Sequence, residues 1–357
     1  MKARAEIYTL PEVHHGAPDY EELEKIGIKP DQVLDFSVNS NPFGPSPLVA
    51  PTLQDIVLSR YPDRDALQLR RQLAEHHQTS IDHVLVGNGS AELLLLTALT
   101  FISGEKPVLI SGPTFGEYQK FALVMGAPLS EYRAEPSNQF IPDSTKIDQI
   151  LSVREHDLVF LCTPNNPTGQ ILSRKDIHKF ARKHKNTLLL IDEAYISFSQ
   201  DLETCFDPDL ENLLVMRSMT KDYSLASLRL GYALGHKKTI DLISSVRPPW
   251  NVNAYAQAAG IAALADQDYL SKTLQKTWMA KQDLLKHLTE LGLSPIPSKT
   301  HFFLIPVGNA PEIRAKLIKE KIQVRDCTSF GLSNMIRIAT LRLEQNQVLI
   351  NALKKIL

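Results

Sequence analysis

The chain is 357 residues long, beyond the roughly 100 to 200 residues of one typical domain, so two units are expected. Lys and Arg total 39 against 40 Asp and Glu, a formal charge of -1, which excludes the basic footprint of a nucleic-acid-binding protein. With 43% apolar and 22% charged residues, a disordered or fibrous chain is excluded as well. Cys162, Cys205 and Cys327 are scattered and form neither a disulfide framework nor a zinc-site spacing, so a reducing compartment and no metal are expected. The apolar run at 93–102 is too short to cross a bilayer, and no apolar core follows Met1-Lys2-Ala3-Arg4. No membrane contact is expected, and the cytoplasm is the expected location.

The first periodic segment is 63–77, where Ala66, Leu67, Leu69, Leu73 and Ala74 fall at helical spacing. Short apolar strands follow at 84–86, 108–110, 158–161, 188–191 and 213–216, with helical patterns between several of them. Strands alternating with helices predict an α/β fold whose mostly parallel central sheet is flanked by helices, because parallel neighbours need crossover connections. Ligands on such sheets gather beyond the carboxyl ends of the strands. From about 237 the rhythm changes: helices at 253–265 and 268–291, strands at 302–305, 322–325 and 335–339, and a closing helix from 343. This predicts a large domain at 45–236 and a smaller α+β domain formed by 1–44 and 237–357.

The strand ends carry the chemistry. Gly87-Asn88-Gly89-Ser90-Ala91-Glu92 is a glycine-rich turn into an apolar helix, which offers free N–H groups and a positive dipole end to an anion. Ser90 is equally a helix N-cap. Cys162-Thr163-Pro164-Asn165-Asn166-Pro167-Thr168-Gly169 makes a rigid turn. Asp192-Glu193-Ala194-Tyr195 puts an acid at the end of a hydrophobic strand, costly to bury unless a cation or donor meets it. Arg217-Ser218-Met219-Thr220-Lys221 and Leu228-Arg229-Leu230-Gly231 then bring hydroxyls, a lysine and an arginine to another strand end.

A lysine that forms a Schiff base, partnered by an aspartate for a pyridinium nitrogen, is the mark of pyridoxal phosphate chemistry. With NNPTG, DEAY, SMTK and RLG in this order, the chain resembles the fold-type I, class I/II aminotransferase superfamily over nearly its whole length. The resemblance implies pyridoxal 5'-phosphate as cofactor, with Lys221 as the Schiff-base lysine and later proton carrier, and Asp192 on the ring nitrogen. Tyr195 and Asn166 would bond the phenolic oxygen, and Phe115 would stack on the ring. Gly89, Ser90, Ala91, Ser218, Thr220 and Arg229 would hold the phosphate. Tyr61 matches a tyrosine sent to the partner subunit's cofactor, which implies a homodimer. Arg337 matches the arginine that grips the substrate carboxylate, and Asn39 and Asn41 match the loop that closes over the substrate.

Within the superfamily the chain is similar to the histidinol-phosphate aminotransferase and threonine-phosphate decarboxylase branch; His15-Gly16, Asp35-Phe36-Ser37, Pro113-Thr114-Phe115-Gly116-Glu117-Tyr118, Pro248-Pro249-Trp250-Asn251-Val252-Asn253 and Arg325-Asp326-Cys327 lean toward the decarboxylase, and the global pattern fits either. Both act on phosphorylated substrates, so Arg325 and the loop at His14-His15-Gly16 are candidates for a second phosphate. Leu341 stands where the decarboxylase pattern has a further arginine, and Ser227 replaces a common glycine. The expected activity is transamination or decarboxylation of a small amino acid or amine. A lyase or cyclase acting on an unphosphorylated hydroxy amino acid is the alternative.

Overall fold

The computed structural model describes residues 1–200 and 202–357. Its strands, in chain order, are β1 (Leu34–Asp35), β2 (Val84–Asn88), β3 (Val108–Gly112), β4 (Leu129–Arg133), β5 (Leu158–Cys162), β6 (Leu188–Asp192), β7 (Leu213–Ser218), β8 (Leu230–Gly235), β9 (Phe302–Pro306), β10 (Ile322–Gln323), β11 (Arg325–Asp326) and β12 (Met335–Ala339). The central sheet has the order β2-β8-β7-β6-β5-β3-β4. All neighbours in it are parallel except β8, which runs antiparallel to both β2 and β7. A second sheet, β11-β12-β9, is antiparallel, and β1 pairs with β10 in parallel.

The central strands are apolar on both faces because each face packs under its own layer of helices. Alternation sorts them: Leu158 and Phe160 of β5 with Leu188 and Leu190 of β6 join the cluster that holds Leu93 and Tyr118. Val159, Leu161, Leu189 and Ile191 face the opposite cluster with Leu69, Leu73 and Ile177. A fully buried side chain such as Phe160 stabilises by about 1.5–3 kcal/mol. The same alternation carries Cys162 and Asp192 onto the face of Phe160 and Leu190 at the strands' carboxyl ends. A further cluster unites Phe36 with Leu284, Phe303, Ile336 and Leu349, so the N-terminal segment packs with C-terminal elements.

Three expectations change. The helix predicted at 63–77 begins later, at Leu67–His76, because Ala66 is left-handed with φ 47°. The Asp63 carboxylate instead accepts a hydrogen bond from the Leu67 N–H at the helix start. The strand predicted at 322–325 divides into β10 and β11, which pair with different partners. Strands β4 and β8 lie outside the strands expected from sequence. β4 lies at the sheet edge with only Tyr132 buried, so it lacks the apolar run of its neighbours, while β8 is masked by its glycines.

Candidate active site

The carboxyl ends of β5, β6 and β7 converge on a cavity of about 410 Å³. Of the residues expected at the site, His15, Asn39, Ser90, Ala91, Phe115, Asn166, Asp192, Tyr195, Ser218, Thr220, Lys221, Arg229 and Arg337 line it. Gly89 lies behind the lining. It is left-handed with φ 77°, and a Cβ there would meet the Arg229 guanidinium at 3.0 Å.

One end of the cavity is an anion cradle. Gly89 opens the helix Gly89–Phe101, so Ser90 and Ala91 present first-turn N–H groups that no helix carbonyl reaches. Asn88 occupies the N-cap position, which removes the capping reading of Ser90. The Ser218 and Thr220 hydroxyls lie 2.7 Å apart, and Arg229 donates one hydrogen bond, to the Ala226 carbonyl at 3.1 Å. Close approach of β8 makes this geometry possible: a Cβ on Gly231 would lie 2.6 Å from the Ser90 nitrogen.

Asp192 marks the other end. Its Oδ2 accepts from the Tyr118 hydroxyl at 2.6 Å and its Oδ1 from the Ala194 N–H at 3.0 Å. The residue is 5% exposed. Burial raises its pKa above the ordinary carboxylate value, opposed first by the Tyr118 hydrogen bond and then by the Ala194 N–H and the Lys221 charge. Asp192 forms no ion pair among the described residues.

Lys221 follows β7, and its backbone carbonyl accepts from the Asn41 N–H at 2.8 Å. Burial first, then the Arg337 and Arg229 charges, bring its pKa down to about 8 against the pull of Asp192. Arg337 rises from β12, buried, and donates to Asn166 Oδ1 and to the Ser37 carbonyl. Its Nε is left without a partner. Asn39 is buried beside Tyr195 with neither amide atom in a well-formed hydrogen bond, and burial raises the Tyr195 pKa.

Asn41, Arg325 and Tyr61 do not line the cavity. The Asn41 amide donates to the Asp222 carbonyl at 3.1 Å and to Thr273 Oγ1 at 2.8 Å, which fixes the loop from behind. The Arg325 guanidinium donates to the carbonyls of His15 (3.0 Å) and His14 (2.8 Å) and to Ser329 Oγ (2.6 Å), so it straps the N-terminal loop instead of facing an anion. Tyr61 is 80% exposed and packs on Trp250, ring centroids 4.8 Å apart.

Tyr118, Glu117 and Cys162 are among the lining residues that had no assigned part in the sequence reading. Tyr118 is fully buried against Asp192, while Glu117 pairs with His15 Nε2 at 3.0 Å and with Lys120. Cys162 ends β5 beside them. The signal lay in the Phe115-Gly116-Glu117-Tyr118 run, where Tyr118 falls one helical turn after Phe115.

The donor set suits one ligand chemistry. A helix start, two hydroxyls and Arg229 suit a phosphate, and an unpaired buried carboxylate at the far end suits a ring cation. A lysine with no ion pair among the described residues lies between them, its pKa brought down to about 8. The residues fit pyridoxal 5'-phosphate.

The sequence profile of the family described as Aminotransferase class I and II matches residues 31–353. Histidinol-phosphate aminotransferase 1 of Psychrobacter arcticus is 32% identical over 367 aligned positions, which cover 98% of this chain and 94% of that protein. The crystal structure of histidinol-phosphate aminotransferase from Sinorhizobium meliloti, in complex with pyridoxal-5'-phosphate, superposes with a TM-score of 0.88 at 25% identity. That match covers 99% of this chain and 97% of the other. The structure of L-threonine-O-3-phosphate decarboxylase from Porphyromonas gingivalis gives 0.78 at 28% identity, over 90% of this chain and 98% of that one. Profile, fold and donor set agree on a pyridoxal-phosphate-dependent enzyme of fold type I, and the chain belongs to the class I and II aminotransferase family.

Proposed function

We propose that the enzyme transfers the amino group of a small amino-acid-like substrate of the histidinol-phosphate kind. The observation that carries this reading is the meeting of Lys221, Asp192 and Arg337 on one cavity. Ser90, Ala91, Ser218, Thr220 and Arg229, with the Gly89 backbone, would hold the cofactor phosphate. Phe115 would lie on the ring, Asp192 would pair with its nitrogen, and Tyr195 and Asn166 would bond its phenolic oxygen. The bound cofactor supplies an aldehyde for amine attachment and a cationic ring that draws electrons from the substrate's α-carbon.

The chain's own residues do the rest. Lys221, its pKa brought down to about 8, becomes a free amine at mildly basic pH, far below the ordinary lysine range, and moves a proton at the substrate's α-carbon. Arg337, locked by Asn166 and the Ser37 carbonyl, presents its remaining donors as a planar fork to the substrate anion. Holding that anion fixes which α-carbon bond stands in the reactive direction. Asn39, buried without a well-formed hydrogen bond of its own, is a further donor and acceptor for the substrate. His15 lines the same cavity, held by Glu117 at 3.0 Å.

A homodimer belongs to this reading, with the exposed Tyr61 reaching the partner's cofactor phosphate. The division into 45–236 and 1–44 plus 237–357 and residence in the cytoplasm belong to it too. No helix among the described residues is long and apolar enough to cross a membrane. Decarboxylation of an O-phosphoamino acid is the second reading, supported by the identity with the P. gingivalis enzyme.

The test is a panel of L-histidinol phosphate, L-threonine O-3-phosphate and their unphosphorylated parents, each with a 2-oxo acid acceptor, followed by product mass. A carbonyl product with amination of the acceptor is the expected result. Loss of carbon dioxide without acceptor amination would replace the first reading with the second.

A further inference from the structure

Asp192 is set by more than its own strand. The helix Gly116–Val124 lies against the face of the sheet that carries Phe160, Cys162 and Asp192, and Tyr118 in its first turn is 0% exposed. Its ring stacks on Phe160 with centroids 5.0 Å apart and planes 6° apart, and it lies nearly perpendicular to the Phe115 ring, at 5.6 Å and 83°. This double contact leaves the ring one pose, in which the hydroxyl points at Asp192 Oδ2 from 2.6 Å.

We propose that Tyr118 is a positioning residue of the cofactor site, orienting the Asp192 carboxylate through its hydroxyl and buttressing Phe115 with its ring. The proposal rests on the assignment of Asp192 to the ring nitrogen and of Phe115 to the ring face. A carboxylate on a strand end turns about its side-chain torsions. With one donor on each oxygen, Tyr118 and the Ala194 N–H, the Asp192 plane is fixed while lone pairs on both oxygens stay open for a ring cation. Donors to a carboxylate also favour its charged form, which burial opposes, and Tyr118 is the strongest of these donors. Without that hydroxyl the acid drifts toward its neutral form and loses its value as a counter-charge. The ring acts on the second contact: Phe115 packs between the His15 and Tyr118 rings, each with its centroid 5.6 Å away.

The experiment compares wild type, Tyr118→Phe, Asp192→Asn and the double variant. The readouts are cofactor retention on dilution, the pH midpoint of the bound cofactor's visible absorbance, and melting of the cofactor-free protein. Tyr118→Phe keeps the ring, so the cofactor-free protein is expected to melt near wild type. Retention is expected to fall about tenfold, the scale of a lost hydrogen bond to a charged group, with a displaced pH midpoint. On top of Asp192→Asn the same change is expected to add nothing, because the hydroxyl acts through the carboxylate. Wild-type retention and midpoint in Tyr118→Phe, or full additivity with Asp192→Asn, overturns the proposal. If Asp192→Asn itself moves neither readout, the assignment of Asp192 falls first. Should Tyr118→Phe not fold, 3-fluorotyrosine at 118 keeps the shape and strengthens the donor. A midpoint displaced the opposite way supports the proposal, and an unmoved one overturns it.

Discussion

Lys221 and Arg337 show how the same burial serves two charges differently. Arg337 keeps its charge because a guanidinium stays protonated, so burial among Asn166 and the Ser37 carbonyl orders it without neutralising it. Lys221 yields, since removal from water and two neighbouring guanidinium groups both disfavour its ammonium form. With a folded pKa of about 8, Lys221 in the cofactor-free protein is ammonium below that pH and free amine above it. Uptake of the cofactor aldehyde needs the free amine, so its rate is expected to rise with pH through about 8 and then level off. Rapid-mixing absorbance of cofactor-free protein with pyridoxal phosphate from about pH 6 to 11 checks this. A rate still climbing at the ordinary lysine value of about 10.4 would mean that Lys221 is not depressed. Lys221→Ala sets the background.

The elements explain why these side chains meet, and also which of them sequence could find. β8 passes so close to the start of the helix Gly89–Phe101 that a Gly231→Ala methyl would lie 2.6 Å from the Ser90 nitrogen and 2.9 Å from the Gly89 carbonyl carbon. Both contacts are backbone, so the helix start must move. Gly231→Ala is therefore expected to weaken cofactor retention at least about tenfold, through displaced phosphate donors, while a folded sheet persists. The check is the gain in melting temperature on adding cofactor, large in wild type and small in the variant. Lys221, Asp192 and Arg229 were legible because each directly follows or flanks a strand in a fixed local motif. Tyr118 was not, since a tyrosine one turn into an apolar helix reads as core until the alternation along β6 places Asp192 on the same face. Arg325 looked like an anion receptor for its chemistry alone. Its donors meet the His14 and His15 carbonyls, a long-range pairing across the chain that no local pattern records. The same limit hid β4, whose edge position leaves it little apolar periodicity.

At the scale of the whole molecule, near-neutral charge conceals a polarised cavity. Lys221, Arg229 and Arg337 line it against Asp192 and Glu117, and Glu117 is matched locally by His15 and Lys120. Polarity of this kind holds a doubly charged small anion without giving the surface a basic footprint. Outside the cavity, Tyr61 at 80% exposure packs on the Trp250 ring, and exposed paired aromatic rings are the kind of surface that a second copy of the chain can cover. If Tyr61 serves the partner's site, a subunit carrying Tyr61→Ala and one carrying Lys221→Ala are each inactive or weak as homodimers but complement when mixed. In the hybrid, the site with an intact Lys221 receives an intact tyrosine from the other chain. Co-refolded in equal amounts, the two are expected to recover about a quarter of wild-type activity, because half of random dimers are hybrids and each has one whole site. If Tyr61 acts within its own subunit, the hybrid gains nothing, since every site then lacks either the tyrosine or the lysine. Recovery that tracks the hybrid fraction, measured by activity across mixing ratios alongside sedimentation mass, decides between the two arrangements.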